Sequence, residues 1–122
     1  MAVPFAGTII HGDGKGKKLG FPTANLAISR EHVPLVEGVY AATAIHKGKR
    51  YQAALSIMEK PWKIEVYLFD FDGHDIYGEE LCVEALDFIS PMERINSDAQ
   101  LIEKIQKDIE KIRIYFEHRS PS

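Results

Sequence analysis

Several things are scarce or missing in this sequence. It has one cysteine, Cys82, in 122 residues. A single thiol forms no internal disulfide, which fits a reducing compartment. No apolar run is long enough to span a bilayer and no signal-peptide pattern is present, so the expectation is a soluble, cytoplasmic protein with no membrane partner. Neither sign of charge dominates. A net charge of −3 argues against general nucleic-acid binding. His11, His32, His46, His74 and His118 are scattered without metal-ligand spacing, and each reads as a surface or turn residue. There are no internal repeats and no low-complexity segments. What remains is an ordinary globular mixture, 45% hydrophobic and 27% charged. Residues 1–122 are long enough to form one domain with its own core.

Most of the chain reads as strands. Phe5 to His11 is short and β-branched. Gly38 to Ile45 alternates roughly, His46-Lys47-Gly48-Lys49 reads as a hairpin turn, and Tyr51 to Ile57 as the return strand. Ile64 to Phe71 is the clearest strand. Its alternation puts Ile64, Val66, Leu68 and Asp70 on one face and Glu65, Tyr67, Phe69 and Phe71 on the other. Asp72 to Asp75 reads as a turn and Glu80 to Ile89 as a last strand, with Cys82 a small buried hydrophobe. Leu26 to Glu37 looks irregular. The end of the chain has a different period. Ser97 is a candidate cap with Gln100 three residues on. Leu101, Ile102, Ile105, Ile109, Ile112 and Phe116 then fall at helical spacing, and Glu103 and Lys107 form an outer i,i+4 pair. Close-spaced strands followed by one helix imply a mainly β fold. The expected architecture is an antiparallel barrel over about 3–90 with a helix over about 97–117.

The densest chemical signal lies between Gly12 and Asn25. Four glycines and three lysines fall within Gly12–Gly20, followed by Phe21-Pro22-Thr23-Ala24-Asn25. Glycines bring backbone N–H groups close to a ligand, successive N–H groups form anion-binding nests, and lysines add charge. Pro22 fixes its own φ and restricts Phe21, so Thr23 and Asn25 are held rather than mobile. Their oxygens suit a hard cation shared with substrate phosphates. The run lacks the Gly-Lys-Ser/Thr ending of a Walker A loop, and no βαβ pattern makes it a dinucleotide fingerprint. A flexible solvated loop is the alternative reading of such a run.

Glu65 is the odd residue of the best strand. A solvent-facing carboxylate is the ordinary explanation. A general base on a rigid strand is the functional one, and phosphoryl transfer needs little beyond positioned phosphates, a metal and a group that orients the attacking oxygen.

The motifs occur in a telling order: Gly12-x-Gly-x-Gly-Lys-x-Leu-Gly-Phe-Pro-Thr-Ala-Asn25, then Glu37-Gly38-Val39-Tyr40-Ala41, then Ile64 to Phe71, then Ile76-Tyr77-Gly78-Glu79-Glu80-Leu81. From about Gly7 to Arg113 the chain resembles the riboflavin kinase domain of bacterial bifunctional FAD synthetases and of eukaryotic riboflavin kinases. The resemblance implies a six-stranded antiparallel, Greek-key barrel with a C-terminal helix. It implies transfer of the γ-phosphate of ATP to the 5′-hydroxyl of riboflavin, with Mg²⁺ and with FMN as product. It places the phosphates against Gly14, Lys15, Gly16, Lys17, Lys18, Gly20 and Pro22, the metal at Thr23 and Asn25, and the catalytic base at Glu65. Gly38 and Tyr40 match a barrel-packing motif. Such domains also occur as part of a longer FAD synthetase.

The chain departs from the family pattern in three places. Met58 to Lys63 reads as a shortened loop before Glu65, Ser90 stands where the family often has arginine, and Tyr67 replaces a histidine. Trp62 and Tyr67 become candidate flavin-side residues, with a core tryptophan the alternative for Trp62. The departures leave a second functional reading: a degenerate barrel that binds flavin, nucleotide or a protein partner without turnover.

Overall fold

The computed structural model describes residues 2–73 and 75–119. His74, expected in a turn, lies outside the described residues, as does the side chain of Lys15. Six strands are present: β1 (Val3–Ile10), β2 (Ala24–Ala27), β3 (Gly38–His46), β4 (Lys49–Glu59), β5 (Trp62–Leu68) and β6 (Glu80–Ser90). A single helical turn, α1 (Lys15–Lys18), follows β1, and a long helix, α2 (Asp98–Arg119), ends the chain. The strands close into a barrel in the order β1-β2-β5-β4-β3-β6, antiparallel throughout. Closure gives every strand a partner on both sides, which removes the exposed edges that invite aggregation.

Strict alternation builds the interior. Tyr40, Ala42 and Ala44 of β3, Leu55 and Ile57 of β4, and Ile64 and Val66 of β5 join one buried cluster with Phe5, Ile9 and Leu81. Small alanines on β3 make room for the larger residues facing them. Gly38 allows a close approach. A side chain there would meet the Phe88 ring, with Cβ only 2.4 Å from its Cε2. Tyr40 stands edge-on to that ring, 5.4 Å between centroids, and donates its hydroxyl to the Val36 carbonyl at 2.7 Å. Burial pushes the Tyr40 phenol above its ordinary pKa, partly offset by that bond. The packing role expected for Gly38 and Tyr40 is met.

The outer face of β3 is covered as well. Val39, Ala41, Phe69 and Ile112 form a second buried cluster, joined by Ile109 and Phe116 of α2. The helix therefore packs on the barrel with the stripe its sequence period assigns to it. Ser97 caps it, its Oγ accepting from Gln100 N at 3.4 Å, and the Glu103–Lys107 pair is made at 3.0 Å on the exposed side. Two register shifts between β3 and β6, at Val39/Tyr40 and Ala41/Ala42, bend β6 where it runs toward α2.

Five local expectations need correction. Residues 24–27, not expected as a strand and in part read as irregular chain, form β2. Four residues are too few to show a period, and Ala and Asn have low strand propensity; pairing to both β1 and β5 makes the strand. Residues 58–63 are not a loop. Met58↔Lys63 and Glu59↔Trp62 extend the β4–β5 ladder to a tight turn at Lys60-Pro61. Phe71 does not share the face of Glu65. Asp70 adopts φ 60°, which turns the chain, and Phe71 packs against the interior cluster. Cys82 is exposed, because Leu81 and Val83 take the inward positions. His46 is buried, since it continues the inward series of β3. Its Nε2 lies 2.6 Å from Glu79 Oε1, and that contact, with help from Lys47, holds the Glu79 carboxyl below its ordinary pKa. The expected hairpin is met: Lys47 and Gly48 have φ of 48° and 81°, the doubly left-handed geometry that suits the twist of paired strands.

Candidate active site

The outward residues of β5 are Lys63, Glu65 and Tyr67, two residues apart and on one face. β4 presents Met58, Ser56 and Ala54 opposite them. On the other side β2 places Asn25 directly across from Glu65. The unforeseen strand β2 is thus what brings the Thr23-Ala24-Asn25 segment to the carboxylate. Thr23 Oγ1 donates to Glu65 Oε2 at 2.8 Å. Lys63 Nζ lies 3.2 Å from Glu65 Oε1 and 2.9 Å from Asp13 Oδ2 in the glycine loop. Burial alone would lower the Lys63 ammonium, but the hydrogen bond to Asp13 and the charge and hydrogen bond of Glu65 outweigh it and hold its pKa above the ordinary value. Lys63 is therefore a fixed cation.

The glycine loop is seated against the same group. A Cβ on Gly12 would lie 2.3 Å from Asn25 Nδ2, so the Asn25 amide rests directly on the Gly12 backbone. Gly14 and Gly20 take φ of 74° and 94°, a region glycine enters without steric cost. They bracket the short turn α1, in which Lys18 N bonds Gly14 O at 3.1 Å.

Glu65 opens onto a cleft of about 550 Å³ between the barrel and α2, a volume in the range of small-molecule sites. Asp13, Leu19, Phe21 and Thr23 form one wall, Ser56 and Tyr67 belong to the barrel, and Met92 to Asn96 with Leu101, Ile105 and Ile109 close the opposite side. The helix is thus more than a packing element. Among the described residues, Gly14, Lys17, Lys18, Gly20, Pro22, Asn25 and Trp62 stand outside the cleft lining. Trp62 packs against the interior cluster and donates its indole N–H to the Ile28 carbonyl at 2.7 Å. Arg30 lies over its ring, 5.6 Å from the centroid.

At Ser90 the structure supplies a group that sequence reasoning passed over. Lys104 reaches from α2 and donates to Ser90 Oγ at 2.9 Å. It also pairs with Asp108, whose Oδ1 accepts from Ser90 Oγ at 2.8 Å. Both Lys104 and Asp108 line the cleft. The signal was present, because positions 104 and 108 fall on the helix face carrying Leu101, Ile105 and Ile112.

Among the described residues no group of three or more His, Cys, Asp or Glu side chains is placed to hold a metal ion. The oxygens of Thr23, Asn25 and Glu65 nevertheless make a hard-donor set, as a cation shared with phosphate oxygens requires.

A closed six-stranded barrel, a C-terminal helix, and an outward carboxylate beside a basic glycine loop define the class of this protein. The model of the family described as flavokinase, riboflavin kinase, matches residues 1–116, and the chain belongs to that family. The bifunctional riboflavin kinase/FMN adenylyltransferase of Listeria monocytogenes is 34% identical over 117 residues, covering 90% of this chain and 37% of that protein. Its namesake in Bacillus subtilis is 34% identical over 119 residues, with the same coverage. The crystal structure of riboflavin kinase from Trypanosoma brucei shares the fold at a TM-score of 0.71 and 26% identity, covering 95% of this chain and 80% of that one. The chain spans about 37% of the length of these two bacterial relatives. Among the described residues no helix is long and apolar enough to cross a membrane.

Proposed function

We propose that this chain catalyses transfer of the γ-phosphoryl group of ATP to the 5′-hydroxyl of riboflavin, giving FMN and ADP. Residues 1–122 act as one domain, either alone or as the kinase part of a longer FAD synthetase in the cytoplasm. The observation that carries the reading is that Thr23 bonds Glu65 in the cleft wall, with Asn25 across from Glu65 on the next strand and Asp13 of the glycine loop joined to it through Lys63. In this reading Glu65 accepts the proton of the riboflavin 5′-hydroxyl as its oxygen bonds to the γ-phosphorus and the bond to the ADP oxygen breaks. The Gly14–Gly20 segment with Lys15, Lys17 and Lys18 holds the phosphates, Pro22 stiffens the approach to Thr23, and Tyr67 borders the flavin. Thr23 and Asn25 would hold Mg²⁺ together with nucleotide oxygens. Bound there, magnesium would offset phosphate charge and fix the geometry of transfer.

Glu65→Gln keeps the shape of the side chain and its bond from Thr23 while removing the base. FMN formation followed by chromatography should fall about a hundredfold or more, with an unchanged melting temperature. Undiminished turnover in that variant would remove Glu65 from the mechanism. Tight riboflavin binding without FMN in the unaltered protein would favour a binding module over an enzyme.

A further inference from the structure

Lys63 is not part of the metal, phosphate or base assignments, yet it touches the assigned base and the residue that precedes the phosphate segment. It leaves β5 two residues before Glu65 and on the same face. Its ammonium bonds Asp13 at 2.9 Å and approaches Glu65 at 3.2 Å. Asp13 directly precedes the glycines and lysines that bracket α1, and it lines the cleft with Lys63 and Glu65. The lysine side chain is only 24% exposed, and that of Glu65 23%. One cation therefore spans two carboxylates belonging to different parts of the site, separated by about fifty positions in the chain. Its pair with Glu65, partly withdrawn from solvent, loses less to screening than a surface pair does, while Asp13 is 62% exposed and its link is the more screened of the two.

We propose that Lys63 is a positioning residue that couples the placement of the glycine loop to the orientation of Glu65. Through Asp13 it fixes where the loop begins. Through Oε1 of Glu65 it sets the rotamer of the carboxylate, while Thr23 holds the other oxygen. A loop that drifts outward draws Lys63 with it and loosens the base. A loop seated on a nucleotide keeps the carboxylate aimed into the cleft. This inference rests on the phosphotransfer reading, and its test separates the two.

Lys63→Met keeps the stem and removes the bonds, Lys63→Arg keeps both bonds within reach, and Asp13→Asn removes one carboxylate charge. Steady-state FMN formation should show kcat about tenfold lower and KM for ATP several-fold higher in Lys63→Met, with KM for riboflavin little changed. Lys63→Arg should recover most of the loss. Asp13→Asn should raise KM for ATP, and adding it to Lys63→Met should cost almost nothing more, because the link is already cut. A Lys63→Met protein with unaltered kcat and KM for ATP overturns the proposal, even if its melting temperature falls. Losses that simply multiply in the double variant overturn it as well. If the unaltered protein forms no FMN, the phosphotransfer reading fails, and the affinity of the same variants for Mg-ADP by calorimetry then decides. Weaker binding in Lys63→Met and Asp13→Asn, restored in Lys63→Arg, supports the coupling. Equal binding in all of them overturns it.

Discussion

Two lysines of this molecule sit in similar company and in different settings. Lys63 meets Asp13 and Glu65, with Thr23 bonded to Glu65. Lys104 meets Asp108 and Ser90, with Glu93 at 3.8 Å. The first cluster is gathered from three places in the chain, stands at the entrance of the glycine loop, and keeps about a quarter of Lys63 and Glu65 and 62% of Asp13 in solvent. The second is drawn from one helix and the end of β6. Its Asp108 and Ser90 are buried, at 6% exposure each. Polar groups withdrawn from water are costly unless every member is satisfied, and the Lys104 cluster meets that demand with local, i,i+4 geometry. The same three chemical types thus stand beside the glycine loop in the first cluster and tie the helix to the barrel in the second, although both lysines line the cleft.

The contrast breaks first on stability. Asp108→Ala should leave the Lys104 charge without its buried partner and cost about 3 kcal/mol, a fall in melting temperature of roughly 10 °C. Replacing both members by apolar residues of similar volume, Lys104→Met with Asp108→Leu, should recover most of that loss. Thermal melts of the single and double variants check both outcomes. If Asp108→Ala melts like the parent, the anchor is not one. The Lys63 cluster should behave in the opposite way. Glu65→Gln and Lys63→Met should change turnover by the factors given above and stability by no more than about 1 kcal/mol, as expected for partly exposed pairs.

A smaller effect sharpens the picture of the loop. Gly12→Ala places a methyl group where the Asn25 amide now lies. The Asn25 side chain must then move from its present place. Turnover measured against magnesium concentration should then require several-fold more metal for half-maximal rate, with the melting temperature little altered. An unchanged magnesium dependence would detach Asn25 from the metal.

The barrel and its helix were legible because long strands and a long helix carry a clear period. Ile64, Val66 and Leu68 alternate with Glu65 and Tyr67, and Leu101 to Phe116 repeats at helical spacing. Thr23, Asn25 and Glu65 were legible as chemistry. What the sequence hid was how they meet. Strand β2 is four residues long and rich in Ala and Asn, so its pairing to β5 follows from closure of the barrel rather than from local preference. Lys63 was hidden for a related reason: residues 58–63 read as a loop, and only the continued β4–β5 ladder puts the lysine on the face of Glu65. Lys104 and Asp108 were masked by the apolar stripe that surrounds them. Ser90 looked like a lost cation when read alone, but the helix brings one to it.

The central claim is phosphoryl transfer to a flavin in the cleft beside Glu65. The most direct measurement supplies the protein with riboflavin, magnesium and ATP labelled in its γ-phosphate, and separates the flavins by chromatography. Label in the 5′-phosphate of FMN, with ADP formed in equal amount, is the predicted result. Bound riboflavin with no labelled FMN would contradict it.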